Sequence, residues 1–101
     1  MKRYVEHYRN QDWLYAVYRA EAENDFLLVA VVPAIGWWEL AVRLEPEEVE
    51  ALRRSEGEFT TVVNEILKGR HWPKYKRRRV EHLMRRIGPG EIELEEPADA
   101  Q

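Results

Sequence analysis

Apolar residues fall along this chain in two different rhythms. Residues 13–22, WLYAVYRAEA, alternate loosely: Trp13, Tyr15 and Val17 share one side of an extended strand, and Leu14, Ala16 and Tyr18 share the other. Asn24 and Asp25 are turn formers. They precede FLLVAVV at 26–32, a continuous apolar run of strand length that suits a strand covered on both faces. Pro33 ends the run and Gly36 lets the chain turn. Residues 37–44 alternate cleanly, with Trp38, Leu40, Val42 and Leu44 on one face and Trp37, Glu39, Ala41 and Arg43 on the other. Connections this short join antiparallel neighbours, so a three-stranded meander is expected. A weaker strand fits residues 3–8.

The rhythm then becomes helical. Pro46 suits a first helical position, and Glu47 and Glu48 favour the positive end of the helix dipole. Val49 and Leu52 give this helix a short apolar edge, and Gly57 marks a break or kink. Phe59, Val62, Val63, Ile66 and Leu67 resume the helical period, with Gly69 as a stop. Val80, Leu83, Met84 and Ile87 have the spacing i, i+3, i+4, i+7, which predicts a third helix over 78–87 ended by Gly88-Pro89-Gly90. Ile92 and Leu94 could add an edge strand, and residues 97–101 read as a disordered tail. The expectation is one α+β domain over residues 1–96, an antiparallel three- to four-stranded sheet with two or three helices packed on one face.

Charge changes this picture in one place. The net charge is −3, yet residues 68–90 carry nine basic and one acidic side chain, while 45–67 and 91–101 are each five charges acidic. The segment GRHWPKYKRRRV at 69–80 alone holds six of the sixteen Lys and Arg residues. Basic arms that bind nucleic acid generally leave the whole protein basic, and a sequence pI of about 5.7 argues against that class without removing it.

Candidate chemistry is sparse. His7, His71 and His82 lack a metal-ligand spacing, so no metal is expected. Ser55 is the only serine and has no nucleophile-elbow pattern around it. The glycines, at 36, 57, 69, 88 and 90, form no phosphate loop. The chain is therefore not expected to be an enzyme, and no catalytic residue or cofactor is assigned. No run reaches the ~20 apolar residues of a membrane span, and the N-terminus lacks the apolar core of a signal peptide. With no cysteine in the chain, a cytoplasmic protein with no membrane partner is the simplest expectation.

Three surfaces remain as candidates. In the basic segment, Lys74, Lys76, Arg77, Arg78 and Arg79 could neutralise phosphates or acidic side chains, and Trp72 and Tyr75 could stack on bases or anchor a partner. The same residues could instead be internal. The two aromatics would then pin a connection onto the sheet, and the arginines would lie beside Glu45, Glu47, Glu48 and Glu50, or beside Glu91, Glu93, Glu95 and Glu96. The acidic helix start, Glu45, Glu47, Glu48 and Glu50, is a second candidate surface. Trp37 is a third, a possible aromatic anchor unless a helix covers it.

The order of these segments resembles that of small bacterial predicted immunity proteins of polymorphic and contact-dependent toxin systems. Their pattern joins an alternating strand to a Leu-x-Pro-Glu-Glu helix start, then a Gly-x-x-Phe step, then a Pro-x-aromatic-x-x-Arg segment. Leu44, Pro46, Glu47 and Glu48 match, as do Phe59 and then Pro73, Tyr75 and Arg78, across about residues 13–79. The step from Gly57 to Phe59 is one residue shorter than in the pattern. The resemblance carries no catalytic residue. It implies a protein that neutralises a cognate toxin by forming a complex with it. A basic toxin cleft would be met by the acidic helix start, and an acidic one by residues 74–79. The alternatives are a small RNA- or DNA-binding module using 70–79, and a homo-oligomeric structural module pairing through a sheet edge or Trp37.

Overall fold

The computed structural model describes residues 2–95 except Gln11, Trp13, Ala22, Glu23 and Ile35. Of Pro33, Ala34, Gly36 and Trp37 it describes the backbone alone, so the Trp37 anchor and the tail at 97–101 lie outside the described side chains and residues respectively. Four strands run in sequence: β1 (Lys2–Arg9), β2 (Tyr15–Ala20), β3 (Phe26–Ala34) and β4 (Gly36–Arg43). Three helices follow, α1 (Pro46–Arg54), α2 (Glu56–Lys68) and the single turn α3 (Pro73–Lys76). A 3-10 turn at Glu81–Leu83 leads into β5 (Met84–Gly88) and β6 (Glu91–Leu94).

All six strands form one antiparallel sheet in the order β4-β3-β2-β1-β6-β5, curled into a half-barrel. The expected three- to four-stranded sheet is therefore too small. The largest correction concerns 78–87, where the helical spacing is misleading. Met84, Arg85 and Arg86 pair with Leu94, Glu93 and Ile92, so the segment is a 3-10 turn followed by strand and not an α-helix. Pro89 and Gly90 make the hairpin turn, with Gly90 at φ +68°, a left-handed conformation that glycine takes without strain. The four apolar positions keep the helical period, and pairing with β6 overrides it. Two other differences are smaller. β3 does not end at Pro33 but continues to Ala34, its backbone paired with Trp37 and Gly36 of β4. The chain breaks between α1 and α2 at Ser55, whose hydroxyl accepts the Glu58 amide at 3.0 Å as an N-cap; Gly57 lies inside α2.

Strand alternation divides the sheet into two buried faces. On the outer face Tyr15, Val17, Phe26, Leu28, Ala30, Val32, Leu40 and Val42 pack against Val49 and Ala51 of α1, Phe59, Val63 and Ile66 of α2, and Tyr75 of α3. On the inner face of the curl lie Tyr4, Ala16, Tyr18, Ala20, Leu27, Val29, Ala41, Ile92 and Leu94, closed over by Val80, Leu83 and Met84. This explains the unbroken apolar run of β3, whose residues Phe26 to Ala30 are all buried. β1 keeps its sides correct through a bulge at His7: Glu6 opposes Tyr18, and Tyr8 opposes Val17.

The rim of β4 is capped by the chain that leaves α3. The amide of Arg43 donates to the Arg78 carbonyl at 3.0 Å, and that of Val80 donates to the Ala41 carbonyl at 2.8 Å. The Glu81 carboxylate accepts the Ala41 amide at 3.1 Å. Arg86 of β5 pairs with Glu39 of β4, so the two outermost strands approach across the mouth of the half-barrel.

One internal charge cluster ties the β2–β3 turn to the inner face. The Asp25 carboxylate accepts Tyr4 Oη at 2.6 Å, Arg43 Nη1 at 2.9 Å and Lys2 Nζ at 3.1 Å. Burial alone would raise its pKa, but the bonds from Tyr4 and Lys2 and the charge of Arg43 outweigh it and hold the group below the ordinary value of 3.8. A carboxylate with a depressed folded pKa stabilises the fold above its unfolded pKa, and that contribution is lost as pH falls through the folded value. Asp25→Asn is therefore expected to lower stability by about 1–2 kcal/mol at neutral pH, and the gap from the parent should close below the usual carboxylate range. Urea titrations at neutral and strongly acid pH measure it; a gap that persists in acid would contradict this role.

Candidate binding surface

The basic segment 69–80 is assembled by three local devices. The first is the end of α2, where the Gly69 amide donates to Glu65 and its carbonyl accepts the Trp72 amide at 2.8 Å. The Trp72 ring lies so close over Gly69 that a Cβ there would stand 2.6 Å from Trp72 Cε3, so any side chain at 69 would displace the ring. The second is α3, begun by Pro73, whose Tyr75 is 5% exposed and joins the outer-face core. The third is the pairing of 78–80 with β4 already described. Together they oblige the side chains of the segment to divide between inside and outside.

Arg78 turns in. Its guanidinium bonds the two oxygens of Glu48 at 2.8 and 3.2 Å and the Arg43 carbonyl at 3.0 Å, and it lies 5.2 Å from the Tyr75 ring centre. The side chains of Arg78 and Glu48 are each 12% exposed. Burial works against the charge of Arg78, yet the bond and charge of Glu48 prevail and raise its pKa above the ordinary guanidinium value. Glu48 at the same time accepts the Glu45 amide at 2.8 Å, so one carboxylate caps α1 and holds the strap. Arg79 also turns in, bonded to Glu81 at 2.7 and 2.5 Å and 5.5 Å from the Trp38 ring.

The remaining candidates turn out. Lys74, Lys76 and Arg77 are exposed and make no ion pair among the described residues; Lys74 Nζ sits 5.2 Å from the Tyr75 ring. Trp72 is 57% exposed, its ring stacked at 28° on Tyr75 with centroids 6.4 Å apart. Lys68 and His71 are exposed alongside in sequence, and the Arg70 Nη1 donates to the Leu67 carbonyl at 2.7 Å. The outcome is a ridge of one aromatic plate and three uncompensated cations, built on a buried tyrosine.

The acidic candidate surface is divided in the same way. Glu48 is committed to Arg78, Glu45 lies 3.8 Å from Arg78, and Glu50 lies 3.4 Å from Arg53, leaving Glu47 exposed without an ion pair among the described residues. Of the two alternatives for internal pairing, the one with α1 is realised, by Arg78. In the C-terminal hairpin, Glu93 pairs with Arg85 at 2.6 Å and Glu91 pairs with Arg3. Among the described residues no group of three His, Asp or Glu side chains is placed to hold a metal ion. No helix is long and apolar enough to cross a membrane.

Two groupings had no signal in the sequence. One is the Asp25 cluster. The other lies on the inner face, where Arg9 and Arg86 reach the Tyr18 hydroxyl at 3.4 and 3.3 Å while pairing with Glu6 and Glu39. Their members come from strands up to 68 residues apart, brought together only by the return of β5 and β6. In comparisons with known proteins, no family model, curated protein or solved structure matches this chain.

Proposed function

We propose that this chain is a protein-binding module whose docking surface is the ridge of Trp72, Lys74, Lys76 and Arg77. The partner is a protein with an acidic face, and the reading extends to an immunity-type inhibitor that neutralises a bacterial toxin by complex formation. The observation that carries it is the division of the strap: Arg78 and Arg79 are satisfied internally, while three neighbouring cations and an exposed tryptophan are left outside. A rigid aromatic beside uncompensated charge suits an interface anchor, and unpaired cations on a protein of net charge −3 steer an acidic partner locally.

The toxin in this reading rests on the resemblance alone. Pro46 opens α1, Glu48 holds Arg78, Phe59 of α2 is buried against the sheet and Tyr75 pins the strap, so several residues of the shared pattern are structural anchors of α1, α2 and the strap. Nucleic acid is the poorer partner. Internal pairing of Arg78 and Arg79 leaves few cations to replace counterions along a backbone, on a chain that is acidic as a whole. The exposed face of Trp72 is the feature that would favour it, through base stacking.

A pull-down of the tagged chain from lysate of its own source, with and without nuclease, tests the assignment. A stoichiometric protein retained in both arms, with Lys76→Glu/Arg77→Glu weakening it about tenfold or more at unchanged melting temperature, is the expected result. Loss of binding on nuclease treatment would transfer the ridge to nucleic acid. Full retention by the doubly reversed variant would remove the ridge from the interface.

A further inference from the structure

A concavity lies at one end of the sheet, lined by α2 from Glu56 to Leu67 and by residues of the β1–β2 connection. Its volume is about 640 Å³, within the usual range for small-molecule sites, roughly 300–1,000 Å³. Its wall is apolar: Leu14 and Val31 on one side, Val63 and Leu67 of α2 on the other, and the Tyr15 ring between. The rim is polar, and every charged residue lining it among the described residues is acidic, namely Asp12 and Glu56.

The cleft is held open by bonds across it. Asn10, a buried polar side chain, donates through Nδ2 to Glu56 Oε1 at 3.0 Å and accepts the Asp12 amide through Oδ1 at 3.0 Å. Tyr15 Oη and Thr60 Oγ1 are 3.0 Å apart, and the Val31 amide donates to the Leu14 carbonyl at 2.9 Å. Among the described residues, these contacts tie Asn10 and Tyr15 to α2 and Leu14 to β3. Leu14 is 55% exposed at the edge, a large apolar side chain on open display where the sheet itself has no use for it. Neither Asp12 nor Glu56 faces a cation among the described residues.

We infer that this cleft is a binding site for a small ligand with an apolar body and one cationic head, an aliphatic or arylalkyl amine, its body against Leu14, Val31, Val63 and Leu67 and its head toward Glu56 and Asp12. Apolar contact supplies the affinity and the acid-only rim supplies the sign of charge. The site is separate from the ridge and does not depend on it.

The test is a titration of the isotope-labelled full chain followed by amide resonances, with 4-phenylbutylamine and with 4-phenylbutyrate, which share a body and differ in charge. The amine should shift Gly57, Thr60 and Asn64 saturably and bind roughly fivefold more tightly than the acid, the scale of one exposed ion pair. Glu56→Gln should abolish most of that preference while keeping the Asn10 bond. Asn64→Trp, at an exposed helix position on the rim, should block both compounds without unfolding the chain. Equal binding of amine and acid, shifts centred elsewhere, or no saturable shift would overturn the assignment.

Discussion

Arg78→Met is expected to destabilise the protein by about 3 kcal/mol, because removing one member of a buried ion pair strands the other. Glu48, 12% exposed, would lose both of its guanidinium bonds, and the Arg43 carbonyl would lose its donor at 3.0 Å. For a domain of this size that corresponds to a fall in melting temperature of roughly 10–20 °C. Arg78→Lys keeps the charge but cannot reach two carboxylate oxygens and a carbonyl at once, so it should recover only part of the loss. Adding Glu48→Gln to Arg78→Met should cost less than the two single changes together, since the stranded charge is then gone. Arg77→Met, one residue earlier and exposed, should stay within about 0.5 kcal/mol of the parent. Thermal melts of these five chains by circular dichroism decide the matter. If Arg77→Met and Arg78→Met melted together, the strap would not be divided and the ridge would lose its basis.

Phe59→Ala should be costlier still, about 4 kcal/mol, from the lost transfer energy and the cavity left behind. Phe59 is 0% exposed, lies one turn into α2, and meets the Tyr15 ring edge-on at 5.7 Å and 61°. It is the largest α2 side chain in the contact between that helix and the sheet. Small domains hold about 5–15 kcal/mol in all, so this one change should consume a large share and leave α2 poorly seated. Urea unfolding of Phe59→Ala beside Glu65→Ala, an exposed position of the same helix, measures the difference. A loss below about 1 kcal/mol would mean that α2 is not held by this contact. Both large effects converge on one structural point: α1, α2 and the strap are fastened to the outer face by a few buried side chains, and the ridge is presented by what fastens them.

Much of the architecture can be read from local pattern. β2 alternates and β3 is buried on both faces as its unbroken apolar run requires, β4 places Leu40 and Val42 toward the helices and Ala41 away, and Pro46 and Gly69 bound the two longer helices. The misreadings share a cause. At 78–87 four apolar residues carry a helical spacing, yet hydrogen bonding with β6, a partner that follows only after the turn, makes the segment from Met84 on a strand. Likewise β6 looked like an edge, but it lies between β1 and β5, because the curl of the sheet brings the C-terminal hairpin back to the first strand.

The candidate surfaces were legible as composition and no further. Six basic residues in twelve announce a charged segment, but Arg77 and Arg78 are chemically alike and adjacent, and nothing local separates them. By itself the sequence determined the α+β class, the meander, the two principal helices, the absence of cysteine chemistry and the presence of a basic aromatic strap, since each depends on neighbouring residues. The tertiary structure alone decided the six-stranded half-barrel, the burial of Arg78 against Glu48, the exposure of Trp72, Lys74, Lys76 and Arg77, and the cleft beside α2. Those depend on groups 30 residues or more apart, as Arg78 is from Glu48 and Asn10 is from Glu56. Whether a charge is satisfied is settled by what the folded chain brings within hydrogen-bond reach, and no run of adjacent residues carries that information.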